Sequence, residues 1–529
     1  MRRLAVVLAA VAFVIGSAAA ASAHAVLAAT TPAAGSVVAT APAQVTLRFG
    51  EPVELTPAGI RVYDDQLRRV DGGGARHVAG DRDTVGVGLR PGLANGTYTV
   101  TYRVISADSH PVAGGYTFSV GARSKVSGTV SDVAGGSRVV GVMLGAARFV
   151  EYAGLVVGLG GLTFFVLWPA GRRDRVARRL VFGGFVALLA GSVTALFLDA
   201  PYVAGEGLAR TFDGEVLSTI VSAHFGVVLL LRIVVVTLIL VLYRLLLDRG
   251  PYGYPMTVAG IAVVLADTFA DAGHSSVNDN YGLALLSDGA HLLAMTVWLG
   301  GLAMVLAVVV RRDRDALAVV LPRFSGAALG CIAVLAGTGS YQAIRNVGSW
   351  PALVDTAYGR LVLAKIAGLL VIVWLGYVAR RFVNRRQFAT LPRGLAAEVV
   401  TGVGVLAVTA VLVATLPGKT AYAAPVSRTI VTSTFRLQVE VDPAKTGPAT
   451  LRIDAYTPAG QRLAVQRITG SLRLPAQQVG PLPIAFDITG TGRVRAALTL
   501  AAPGKWQLVL DVQTSPIDAT TVATTFTVT

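Results

Sequence analysis

The chain of 529 residues has one cysteine, Cys331, and it lies inside a long apolar run. No disulfide can form within the chain, and no metal site can be built from paired thiolates. Charge is also scarce: Asp, Glu, Lys and Arg make up 14% of the residues, against 53% hydrophobic. A soluble chain carries roughly 25% charged residues, so this balance points to a membrane protein with several spans. Between Met1 and Met143 there is no methionine. A metal site in that stretch must use nitrogen and oxygen rather than sulfur. The chain also lacks a Walker-type phosphate loop, which argues against ATP-driven pumping.

The first residues read as an export signal. Arg2 and Arg3 precede an apolar run from Leu4 to Ile15, and Ala21-Ser22-Ala23 forms a small-residue cleavage site. Cleavage there makes residues 1–23 a signal peptide and His24 the new N-terminus; Ala18-Ala19-Ala20 is an earlier alternative. Residues 24–122 alternate apolar and polar positions in short segments such as Gln44 to Phe49 and Thr97 to Val104, separated by turns such as Asn95-Gly96. This predicts an all-β sandwich. Residues 123–137 are rich in Ser and Gly and read as a linker.

From 138 to 418 the sequence holds eight apolar runs long enough to span a bilayer: about 139–168, 180–199, 222–245, 254–272, 285–310, 323–344, 360–379 and 395–416. Arginines crowd alternate loops, at 172–179, 244–249, 311–323 and 380–393, whereas the opposite loops hold chiefly Arg210 and Arg345. The positive-inside rule then places the first and last residues outside the cytoplasm, in the cell membrane of a multi-pass protein. It also accounts for the net charge of +16 without a nucleic-acid partner. Residues 426–529 alternate again and predict a second β-sandwich on the outer side, without His, Met or Cys.

An N-terminal His24 presents its amine and its imidazole together, and Asp108-Ser109-His110 adds a carboxylate and a second imidazole. That donor set suits tetragonal Cu(II); the plainer reading is a polar turn and a loose terminus. His77 reads as a solvated surface residue. In the membrane, Asp288, His291 and Met295 share a helical face, with Asp288 expected to orient the imidazole of His291. His274, His224 and Met143 lie toward the outer ends of other spans and complete the candidate transport ligands. The plainer reading of His224 and His274 is an interfacial polar cap. Glu151, Arg232, Lys365 and Glu398 are expected to serve as structural intramembrane charges, with Glu151 paired to Arg232. Trp298-Leu299-Gly300-Gly301 and Gly337-Thr338-Gly339 read as helix-packing stretches.

These residues also carry a resemblance. His24, Thr31-Pro32-Ala33-Ala34-Gly35, Leu47-Arg48-Phe49, Gly96-Thr97-Tyr98 and Ser106 to His110 resemble the CopC family of exported Cu(II)-binding β-sandwiches. The resemblance implies His24, Asp108 and His110 as copper ligands. Gly273-His274, Asp288 to His291, Trp298 to Gly301, Arg323-Phe324-Ser325, Tyr358-Gly359-Arg360 with Lys365, and Asn384-Arg385 are similar to the CopD family of copper-transport membrane proteins. The C-terminal β-domain resembles the YtkA-like domain. The implied function is capture of Cu(II) outside the cell and passage of copper across the membrane. A copper chaperone or reductase outside the cell is the further partner this reading allows. The alternatives are copper sequestration without transport and a haem- or copper-dependent redox protein. No catalytic constellation stands out, and the expectation is a protein that is not an enzyme.

Overall fold

The computed structural model describes residues 27–106, 111–124, 137–271, 281–310, 314–384, 391–475, 479–500, 503–515 and 518–528. The signal peptide, His24, Asp108, His110 and His274 lie outside these residues. The chain divides into a helical unit and a β unit that contains both terminal domains.

The N-terminal domain contains β1 (Leu27–Thr31), β2 (Val37–Val38), β3 (Gln44–Phe49), β4 (Val53–Tyr63), β5 (Arg76–Val78), β6 (Asp81–Gly88), β7 (Gly96–Ser106) and β8 (Pro111–Val120). They form two four-stranded sheets, ordered β1-β3-β6-β5 and β2-β8-β7-β4. Alternate residues point inward, so Val45, Leu47 and Phe49 of one sheet meet Val100, Val104 and Phe118 of the other in one core. His77 lies in β5 opposite Val85 and is half-buried, with its Nδ1 shielded from solvent, rather than a freely solvated residue.

Twelve helices follow among the described residues: α1 (Arg138–Leu167), α2 (Arg175–Ala204), α3 (Gly214–Ser222), α4 (His224–Val241), α5 (Tyr243–Leu247), α6 (Gly253–Ala270), α7 (Tyr281–Val310), α8 (Arg314–Val347), α9 (Trp350–Asp355), α10 (Ala357–Asn384), α11 (Leu391–Val413) and α12 (Gly418–Ala421). Eight of them, α1, α2, α4, α6, α7, α8, α10 and α11, are long and apolar enough to cross a membrane. The short α3 and α9 lie outside the long apolar runs.

Helix α1 lies at the heart of the bundle because glycines let it approach two neighbours. A Cβ on Gly154 would come within 2.4 Å of the Leu188 nitrogen in α2. A Cβ on Gly160 would come within 2.4 Å of the Thr296 carbonyl oxygen in α7, and one on Gly300 within 2.2 Å of the Val156 oxygen. These distances leave no room for a side chain, which is how small residues permit close helix packing.

The C-terminal domain contains β9 (Val426–Val431), β10 (Arg436–Asp442), β11 (Gly447–Tyr456), β12 (Arg467–Leu474), β13 (Val479–Pro483), β14 (Asp487–Gly490), β15 (Arg493–Leu500), β16 (Gly504–Gln513) and β17 (Ala519–Val528). A five-stranded sheet, β14-β15-β11-β10-β9, faces a four-stranded one, β13-β12-β16-β17. Leu437, Val439 and Leu451 from the first meet Trp506, Leu508 and Leu510 from the second. The architecture is thus a β-sandwich, an eight-span helical bundle and a second β-sandwich.

Candidate metal sites

At one end of the N-terminal sandwich, four chain segments converge. Leu27 opens β1 opposite Phe49. The chain crosses to the other sheet within three residues, and Val53 then pairs with Ser106 at the end of β7. Ile105 pairs with Pro111, so β7 ends and β8 begins at this same end. Glu51, in the crossover, is buried and accepts a hydrogen bond from Ser106 Oγ. The ring of Phe49 meets that of Tyr102 edge-on, with centroids 5.6 Å apart, and braces the two sheets there. Residues 24–26 and 107–110 lie outside the described residues.

In the bundle, a polar cluster lies among α7, α8 and α10. His291 is ten residues into α7, about 15 Å below the helix start at 1.5 Å per residue. This is deeper than the apolar run suggests, because the helix begins at Tyr281. The Nδ1 of His291 is 2.9 Å from Thr338 Oγ1, and its Nε2 is 3.4 Å from Lys365 Nζ. The hydroxyl of Thr338 donates to the Val334 carbonyl at 2.6 Å. A cavity of about 160 Å³ is lined by Asp288, His291, Met295, Gln342, Tyr358 and Lys365. An adjoining cavity of about 340 Å³ shares His291, Met295 and Lys365 and continues along Leu335, Leu369 and Ile372.

Several expected roles change. Asp288 does not orient His291: its carboxylate accepts from Arg345 at 3.0 and 3.3 Å, and Thr338 contacts the imidazole instead. Arg345 had the look of an outer-loop arginine, but α8 runs on to Val347 and carries it into the cluster, where its side chain is only 9% exposed. Lys365 contacts a histidine and, among the described residues, has no carboxylate within ion-pair distance. Glu398 is buried, and its Oε1 has no hydrogen-bond partner among the described residues, so the expected ion pair is not formed there.

Glu151 and Arg232 do meet, at 2.8 Å, with both side chains 5% exposed. Ser192 also donates to Glu151 Oε1, at 2.7 Å. Arg232 further donates to the Thr268 carbonyl at 2.6 Å and lies over the Phe269 ring at 3.6 Å. This cluster ties α1, α2, α4 and α6 together. His224 donates through Nε2 to Asp271 at 2.9 Å from a largely exposed position, which is the geometry of a polar cap. Met143 is exposed near the start of α1. Among the described residues no three His, Cys, Asp or Glu side chains gather as a metal site.

Sequence reasoning missed Thr338, Gln342 and Arg345 as members of the cluster. The signal available was the polar spacing along α8: Thr338, Gln342 and Arg345 lie four and three residues apart, on one helical face.

The fold and these sites define a multi-pass membrane protein with a β-sandwich at its N-terminal end and a polar cluster within its bundle. Comparison with known proteins narrows the class. Residues 27–121 match the CopC domain, residues 139–283 the copper resistance protein D-like N-terminal domain, and residues 318–412 copper resistance protein D. The chain belongs to the CopC family and joins that domain to a copper resistance protein D region in one polypeptide. It is 26% identical to the copper transport protein CutJ of Bacillus subtilis over 409 residues, covering 75% of this chain and 74% of that protein. It is 38% identical to protein YobA of Escherichia coli over 98 residues, covering 18% of this chain and 79% of the relative. The crystal structure of CopC from Methylosinus trichosporium OB3b is 38% identical and covers 18% of this chain and 93% of its own, with a TM-score of 0.17.

Proposed function

We propose that this protein captures Cu(II) outside the cell and moves copper across the cytoplasmic membrane. The observation that carries the reading is the union, in one chain, of a CopC domain with a copper resistance protein D region whose bundle encloses His291 and Met295 around a cavity. His24, with its free amine, Asp108 and His110 would hold Cu(II). Support comes from the rim of the sandwich: the start of β1 and the β7–β8 connection leave the same end, so their next few residues can converge. Two imidazoles, an amine and a carboxylate form a donor set that Cu(II) favours.

Within the bundle, His291 supplies an imidazole and Met295 a soft thioether, a pair suited to copper, above all Cu(I). Thr338 fixes the ring, as outer partners of ligating histidines do. Both β-domains lie on the outer side in this reading, because the arginine-rich loops belong in the cytoplasm. A signal peptide ending at Ala23 would create the His24 ligand and export the first domain together. The C-terminal sandwich is read as a YtkA-like domain that meets a chaperone or reductase outside the cell. The domain limits are 24–122, 138–418 and 426–529. The protein acts as a carrier rather than an enzyme.

A second reading is copper sequestration without transport. The lack of a three-ligand cluster among the described residues of the bundle favours it. Cellular copper content under copper limitation separates the two. Cells with the intact chain should hold more copper than cells lacking it or cells carrying His291→Ala. Equal content in all three would leave sequestration standing, and higher content after removal of the protein would mean efflux or resistance.

A further inference from the structure

We infer that Lys365 is a tethered substitute for the copper ion: its ammonium occupies the metal's place on His291 until copper displaces it. The inference rests on the reading of His291 as a copper ligand.

The hydrogen bonds around the ring decide which nitrogen is free. The hydroxyl of Thr338 has one proton, and it points to the Val334 carbonyl at 2.6 Å. Toward His291 Nδ1, at 2.9 Å, the Thr338 oxygen is therefore the acceptor, and Nδ1 carries the proton. The lone pair of the ring is then on Nε2. That is the atom 3.4 Å from Lys365 Nζ. A metal ion binding His291 would use the same lone pair, so copper and the ammonium compete for one position.

Among the described residues Lys365 has no close ion pair. Asp288, the nearest candidate for an ion pair, is held by Arg345 at 3.0 Å. Among the described residues no carboxylate lies within 4.0 Å of the lysine nitrogen. The ring itself is held at Nδ1 by Thr338, 2.9 Å away. Space for the displaced lysine exists next to it. Lys365 lines the small cavity and also the adjoining one of about 340 Å³, which runs along Ile366, Leu369 and Ile372 of its own helix. A four-carbon stem with free rotation can reach either.

The arrangement has two consequences. With copper absent, the imidazole lone pair is not left unpaired inside the bundle. With copper present, one positive charge replaces another at Nε2, so the low-dielectric site does not gather two cations at contact. The return of the lysine then helps release the ion, which a carrier needs and a storage site does not.

The test uses the full chain in detergent, in a His110→Ala background that weakens the N-terminal site. Cu(I) affinity is measured by competition with a chromophoric chelator. Lys365→Leu removes the competing cation and should tighten binding about tenfold. Lys365→Arg keeps a cation and should stay within about threefold of the parent. Thr338→Val frees the tautomer and should weaken binding about tenfold. If Lys365→Leu does not fold, Lys365→Gln takes its place with the same expected tightening. Unchanged or weaker binding in the neutral variant, with binding still abolished by His291→Ala, overturns the substitution mechanism alone. Binding that survives His291→Ala overturns the copper-ligand reading and the mechanism with it.

Discussion

Asp71 shows how much a single buried carboxylate can carry. It is 1% exposed and accepts hydrogen bonds from the Val62 and Gly73 amides, at 2.9 and 3.0 Å, and from the Arg69 guanidinium at 2.8 Å. Burial pushes its carboxyl up, but the Arg69 guanidinium and the two amides outweigh that and hold it below the usual 3.8. A depressed value means that the stabilisation is present above the unfolded value and lost as pH falls through the lowered one. Amide hydrogen exchange in the 59–63 segment should therefore quicken as pH drops below about 3.8, beyond its intrinsic pH dependence. Asp71→Asn should show the faster exchange already at neutral pH; a variant that matches the parent would remove this role. In the sequence Asp71 stands before three glycines and reads only as a turn, because nothing local shows that a strand nine residues earlier supplies its donor. Glu151 and Arg232 were easier to read: they are opposite charges near the middle of two mostly apolar runs. Removing one member of such a buried pair leaves the other charge unpaired, at a cost of about 3–5 kcal/mol. Glu151→Leu should lower the melting temperature in detergent sharply, and adding Arg232→Met should recover most of the loss. Equal destabilisation by the single and double variants would show that packing, not charge, dominates at this site.

Among elements, the contact between α1 and α7 depends on what the glycines lack. Gly300 has a carbonyl oxygen 2.2 Å from where its Cβ would be, whereas Gly330, on α8, has nothing within 4 Å. Alanine at 300 must push two backbones apart, with an overpacking cost of about 1–3 kcal/mol. Alanine at 330 meets open space and gains about 1 kcal/mol of helix propensity. Gly300→Ala should therefore melt below the parent in detergent, and Gly330→Ala at or above it; the reverse order would mean that α1 and α7 are not in this contact. The sequence announces that Gly300 is a packing residue, but not against which helix. Alternation with period two and apolar runs of about 20 residues were enough to read the β–α–β order and the eight spans. Helix ends were less legible. The apolar run around His291 starts near 285, while the helix starts at Tyr281. This helix runs about a turn beyond the apolar run that marks it, so the run understates the length. The same effect hid Arg345 inside α8 and with it the partner of Asp288.

For the whole molecule, the two candidate copper positions differ in kind, and that difference can be measured. In the proposed function the sandwich rim, with His24, Asp108 and His110, would serve capture by raising the local supply of copper at the membrane. The His291 cluster, about 15 Å down α7, would serve passage. Loss of a capture site is a loss of effective concentration, which more external copper can replace. Loss of a passage ligand is not replaced in that way. His110→Ala cells should therefore fall short of parent cells in copper content at low external copper and approach them as external copper rises. His291→Ala cells should stay low across the range. The sequence brought the capture residues into view because His24 and Asp108-Ser109-His110 have distinctive chemistry in a domain without cysteine or methionine. It could not bring Thr338 and Lys365 to His291, because that meeting depends on how three helices cross. If both variants respond alike to external copper, capture and passage are not separate steps.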